Sequence, residues 1–257
     1  MIHPSAVISP GARIADDVEI GPFAVIGPNV IIGSGTRIGA HTVIEGWTDI
    51  GEDNHIFSMA AVGGIPQDLK YRGEETWLRI GKGNIIREFT TLQPGTVTGI
   101  GETVIGDNNL FMAYCHVAHD CIVGNRVIMA NGATLAGHVE VQDHVILGGL
   151  SAVHQFTRVG ESAMLAGGAL AGQDVLPYTV VSGNRARSVG LNLVGLKRRG
   201  FSAAVITDIK RAYKIILRSG LKLEEALQKV ADDIPASLEI GRMTDFARQS
   251  ERGLCRP

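Results

Sequence analysis

Cysteine, aromatic residues and long apolar runs are all scarce in this chain. Its three cysteines, Cys115, Cys121 and Cys255, form neither a disulfide framework nor a CxxC ligand pair. That excludes a stapled secreted scaffold and points to inert thiols in a reducing compartment. Aromatics make up only 5% of the residues, so a core must be built from small and aliphatic side chains. Apolar runs such as Val145 to Val153 fall far short of the roughly 20 residues of a membrane-spanning helix. The opening MIHPSAVI has no basic stretch followed by an apolar one, so no cleavable signal is expected. These absences lead to the expectation of a soluble cytoplasmic protein with no integral membrane segment.

Glycine and aliphatic residues are abundant. The 257 residues include 33 glycines, and 45% are hydrophobic, enough for a sizeable core and many tight turns. Net charge is −2, yet residues 197–257 hold 13 basic and 8 acidic side chains. A basic tail on an otherwise acidic chain suits an acidic partner, and no nucleic acid is expected.

An internal repeat dominates the pattern. Every sixth residue is aliphatic at Ile2, Ile8, Ile14, Ile20, Ile26, Ile32, Ile38, Ile44, Ile50, Ile56 and Val62. The phase returns at Ile80, Ile86 and Leu92, slips by one, and runs from Ile105 through Phe111, Val117 and Val123 to Ala171. Helices repeat near 3.6 residues and strands near 2. A period of six therefore needs short straight segments separated by regular corners. Three segments close a triangular coil of about eighteen residues, and coils stacked about 4.8 Å apart pair in parallel. The spacing predicts an all-β solenoid, a parallel β-helix of hexapeptide repeats over residues 1–180. Two breaks, near 68–79 and 98–104, read as insertions projecting from one face.

After Pro177 the period disappears. Ser202 is suited to cap a helix whose apolar stripe is Ile206, Ile209, Tyr213 and Ile216, with Gly220 as its stop. Further helical patterns start near Leu223 and beyond Pro235, giving a helical subdomain over 190–257. Lys210, Arg211, Lys214 and Arg218 stand three and four apart, as on one positive helical face.

Five of the eight histidines, His116, His119, His138, His144 and His154, cluster in the second run of repeats. His119, Gly137 and Gln155 are one coil apart and should form a column. A histidine can take a proton near neutrality, and a bare glycine N–H can approach an oxyanion, which suits acyl transfer. The bland alternative is a set of solvated turn residues. Zinc held by His116, His119 and His138 is the rival chemistry, although their hexad positions need not converge. Asp120 could orient His119, but neighbours on a strand point apart. QDLKY, residues 67–71, offers a carboxylate and an ammonium on the first insertion, and Lys197, Arg198 and Arg199 offer a phosphate site beside a helix.

Taken together, QDLKY, HVAHDCIVGNR, TLAGHV, AVHQF and NLVGLKRRGFS closely resemble the UDP-N-acetylglucosamine O-acyltransferase family of lipid A biosynthesis, across nearly the whole chain. The resemblance implies a left-handed coil, a homotrimer with sites between subunits, and no cofactor or metal. It implies transfer of a 3-hydroxyacyl group from acyl carrier protein to UDP-N-acetylglucosamine; some relatives acylate a 3-amino sugar instead. His119 would be the general base and Gly137 the oxyanion donor, with Asp120 beside them. Gln67, Asp68, Lys70, His116, His138, His154, Gln155, Asn192, Arg198 and Arg199 would bind substrate. Gly149, Met164 and Gly167 would line the acyl chain, with glycine at 167 admitting a long one. Val194 stands where many members have glutamate, and Leu92, Gln93 and Pro94 stand where a histidine-arginine pair is frequent. Two other classes share the solenoid: a metal-dependent hydratase of the β-helical carbonic anhydrase type, and a non-enzymatic scaffold, which would show rows of identical exposed residues.

Overall fold

A residue recurring every six positions can face inward each time only if the chain turns after every strand. The computed structural model, which describes residues 1–257, shows this arrangement. Most strands are two residues long, and they stack into three sheets of nine, eight and ten strands, parallel throughout except for the last strand of the third. Pairing runs from each coil to the next: Val7 with Val25, Val25 with Val43, and His116 with Thr134. The inward ladder of Ile26, Ile44, Val62, Leu92, Val117, Leu135 and Val153 is buried. Glycine after an anchor lets successive coils approach: a Cβ on Gly33 would lie 2.7 Å from the Gly51 carbonyl carbon.

The insertions leave the register intact, since Val62 pairs with Leu92 and Leu92 with Val117. Their limits differ from those expected. Trp77–Ile80 and Glu102–Ile105 are strands of the second sheet, so the irregular segments are 63–76 and 93–101. The one-residue slip in the period is thus absorbed outside the core. Both insertions connect the first sheet to the second, at the same corner where later coils carry His119, Gly137 and Gln155.

The solenoid ends in an antiparallel hairpin, Thr179–Ser182 with Arg187–Leu191. Four helices follow: α1 (Leu193–Arg198), α2 (Ala203–Arg218), α3 (Leu223–Asp233) and α4 (Leu238–Arg248). The first is a short helix the period gave no sign of, capped by Asn192, and Ser202 caps α2 as expected. Their apolar faces form a second core with Leu176 and Tyr178. Arg211 departs from the expected positive face, because its guanidinium turns to Asp208 and the Asp233 carbonyl. All three thiols are buried, and burial pushes Cys121 up to about 12 and Cys115 and Cys255 up to about 11.

Candidate active site

Corner geometry brings the site together. Asp120, His138 and Phe156 occupy one corner in successive coils, and all three have left-handed backbone, with φ of 59°, 61° and 62°. Strand alternation does not hold at such a corner, so the expectation that Asp120 points away from His119 fails. The Asp120 Oδ2 accepts a hydrogen bond from His119 Nδ1 at 2.7 Å. A carboxylate can only accept, so Nδ1 carries the proton, and in the neutral ring Nε2 presents a lone pair.

Asp120 is held from the other side by the second insertion. Its Oδ1 accepts from the N–H groups of Thr96 (3.0 Å) and Ile100 (2.9 Å), and its Oδ2 accepts from Thr96 Oγ1 (2.7 Å). Burial works to raise the Asp120 carboxyl, but the bonds from Thr96 and His119 outweigh it and hold the group below the ordinary carboxylate range. The dyad is therefore ionised on Asp120 at neutral pH.

Gly137 has a role the spacing did not reveal. The His119 ring lies against it, where an added Cβ would be 2.6 Å from Cε1 and 2.8 Å from Nε2. Only glycine leaves space for the ring. The Gly137 N–H donates to no protein group, which leaves it available to an oxyanion beside Nε2.

His138 completes the cluster, edge-on to His119 (5.0 Å between centroids) and stacked on Phe156 (4.4 Å). Burial lowers its pKa, against the opposing pull of Asp120, and Asp68 also acts to raise it. The charge of Asp68 is thus felt at the site from the first insertion. That loop is anchored by Gln67, whose N–H donates to Gln93 Oε1 at 3.1 Å. Asp68 accepts from the Lys70 N–H, and the Lys70 side chain is exposed. Phe156 and Thr96 were not read as site residues, though Phe156 lies one coil beyond His138 and was open to the same count.

Other expected residues stand apart from this cluster within one chain. His116 turns its Nδ1 to Thr91 Oγ1 at 2.6 Å, and burial lowers its pKa. The three histidines of the rival zinc reading do not converge; the donor atoms grouped within 4.8 Å belong to His119, Asp120 and His138. Both Asp120 oxygens already accept two hydrogen bonds each, a donor set better suited to orienting an imidazole than to holding a metal. His154 and Gln155 are exposed, with His154 Nδ1 near the Gln155 carbonyl and Arg252. The Asn192 amide is spent on capping α1 and on the Ser162 carbonyl. Arg199 pairs with Glu161 at 3.0 Å, and Arg198 is exposed. Gly149 and Gly167 are not in the His119 column: they lie with Asn131 at a different corner, each with ordinary 3.5 Å clearance for a Cβ. Met164 is half-buried on the third sheet.

Comparison with known proteins decides the family. The model described as "Udp N-acetylglucosamine O-acyltransferase; Domain 2" matches residues 174–255, and "Bacterial transferase hexapeptide (six repeats)" matches 11–46 and 102–137. The "Acyl-[acyl-carrier-protein]--UDP-N-acetylglucosamine O-acyltransferase" of Burkholderia orbicola is 51% identical, covering 99% of both chains. That of Verminephrobacter eiseniae is 53% identical, with the same coverage. The chain belongs to the UDP-N-acetylglucosamine O-acyltransferase family. Among solved members, LpxA from Acinetobacter baumannii superposes with a TM-score of 0.97 at 47% identity, covering 99% of both chains. The UDP-N-acetylglucosamine O-acyltransferase of Moraxella catarrhalis gives 0.96 at 43%, again over 99% of both. The fold is thus the family's left-handed parallel β-helix with a helical C-terminal subdomain.

Proposed function

We propose that this chain transfers a long 3-hydroxyacyl group from acyl carrier protein to the 3-position of UDP-N-acetylglucosamine, the first step of lipid A biosynthesis. The observation that carries the reading is the His119 imidazole, fixed by Asp120 and resting on Gly137 with Nε2 unbonded. His119 Nε2 takes the proton of the sugar 3-hydroxyl as its oxygen attacks the thioester carbonyl. The Gly137 N–H receives the oxyanion. Collapse breaks the C–S bond, and the imidazolium returns the proton to the leaving thiolate. Family membership supports both substrates, and no step requires a cofactor. The hydratase reading is not favoured, since the curated relatives are named acyltransferases. Incubation with UDP-N-acetylglucosamine and a panel of acyl carrier protein thioesters, followed by mass analysis, tests this; no transfer at any chain length would overturn it.

The assembly in this reading is a cytoplasmic homotrimer, supported by an exposed apolar corner column of Phe23, Met59, Phe89, Tyr114 and Leu150. No helix is long and apolar enough to cross a membrane. In the trimer, His116, His154, Gln155, Asp68, Lys70, Arg198 and Arg199 gather around the sugar nucleotide from neighbouring chains, and Asn192 acts only through its cap on α1. The acidic carrier docks at a cleft of about 210 Å³ with Val189, Leu191 and Tyr213 in its wall and Lys210, Lys214 and Arg218 around it. Its KM should rise several-fold with added salt, and Lys214→Glu should raise it likewise while leaving the KM for the sugar nucleotide unchanged. Salt-independent KM values would place the carrier elsewhere.

Gly167 serves in this reading as the floor of the acyl groove. It stands nearly three coils beyond His119, about 13 Å at strand spacing, and that height admits roughly ten carbons of extended chain. The clearance at Gly167 accommodates a Cβ in ordinary van der Waals contact. Gly167→Met should shorten the preferred donor by several carbons, read from relative kcat/KM across a thioester series. An unchanged profile in an active variant would locate the ruler elsewhere.

A further inference from the structure

We infer that Thr96, on the second insertion, is a positioning residue for the base, acting through Asp120. This rests on the reading of His119 as base. The two oxygens of the Asp120 carboxylate have separate partners. Oδ1 takes the backbone N–H groups of Thr96 and Ile100, which is enough to pin the loop. Oδ2 takes the Thr96 hydroxyl at 2.7 Å and the His119 Nδ1–H at 2.7 Å. The hydroxyl thus acts on the oxygen that holds the imidazole, not on the one that holds the loop.

Three further observations give that bond its purpose. His138 Nδ1 stands 4.0 Å from the same Oδ2, so a carboxylate free to rotate would have a second imidazole to turn to. The Thr96 hydroxyl is a directional donor that fixes the carboxylate plane in favour of His119. Both Thr96 and the Asp120 side chain are buried, so water does not substitute for a lost donor. Gly99 closes over the carboxylate, because a Cβ there would collide with Asp120 Cγ. The insertion is folded around one anion, whose charged and titratable neighbours are His119 and His138, with Cys121 adjacent in the chain. It reaches the dyad from the preceding coil, where the solenoid departs from its eighteen-residue repeat, so the extra residues supply donors that a plain corner lacks.

Thr96→Val removes the hydroxyl while keeping the branch and the backbone N–H. Its kcat should fall about tenfold with both KM values unchanged, and Thr96→Ser should restore it to within about twofold. Thr96→Ala provides a second hydroxyl-free variant. A readout independent of turnover is the 15N spectrum of histidine-labelled protein, with the His119 signals assigned by their loss in His119→Ala. The wild type should show His119 as the Nδ1–H tautomer alone, and Thr96→Val a mixture of tautomers. Wild-type kcat and tautomer in Thr96→Val would overturn the inference, as would a loss that serine does not restore. If His119→Ala also kept its rate in the same assay, the base assignment itself would fail, which separates the two outcomes.

Discussion

His119→Ala should lose at least about a hundredfold in turnover, the range expected when a positioned general base is removed. The ring sits at the prism surface with its side chain 16% exposed, while the core beneath is made by the Val117, Leu135 and Val153 ladder. Oligomeric state and thermal midpoint should therefore stay close to those of the parent. Asp120 would lose one of its four hydrogen bonds and keep the three from the insertion. Steady-state kinetics beside thermal melting checks both halves. A variant that keeps most of its rate would remove His119 from the proton transfer.

Gly137→Ala should be nearly as damaging, although it adds a single methyl group. That methyl would stand 2.6 Å from Cε1 and 2.8 Å from Nε2 of His119, distances at which one partner must move. The glycine backbone is tied into the stack through its carbonyl, which accepts from the Phe156 N–H. The ring is the freer partner, and moving it strains the Nδ1 bond to Asp120. Displacing a reacting group by about 1 Å can cost about a hundredfold, and kcat should fall by that order. In His119→Ala the ring is gone, so adding Gly137→Ala should cost little more. Independent, multiplying losses in the double variant would contradict the steric account.

The solenoid was legible because its determinant is one-dimensional: an inward side chain at a fixed interval, repeated from Ile2 to Ala171. Counting in coils also aligned His119 with Gly137 and Gln155. Less was legible where backbone conformation, not interval, decides direction. Asp120 faces His119 because a corner residue takes φ of 59°, and strand alternation gave the opposite answer. The insertions announced themselves by breaking the period, but their edges were not legible, since the chain leaves the sheet directly after Val62 and Leu92, and Trp77 and Glu102 begin strands before their anchors Ile80 and Ile105. Thr96 carried no sequence signal, because its role depends on a loop folding back over a carboxylate in the next coil. Arg211 satisfied the helical spacing yet found Asp208 and the Asp233 carbonyl, partners that a single helical face does not reveal. The pairing of Arg199 with Glu161 likewise joins elements far apart in the chain.

The central claim is that a sugar hydroxyl, activated at His119, receives the acyl group. The most direct measurement follows an acyl carrier protein thioester labelled with 13C at its carbonyl, mixed with UDP-N-acetylglucosamine and the enzyme. The label should appear as an ester carbonyl coupled to the proton on carbon 3 of the sugar, and His119→Ala should abolish this signal. Label recovered as free acid, or on the carrier alone, would contradict it.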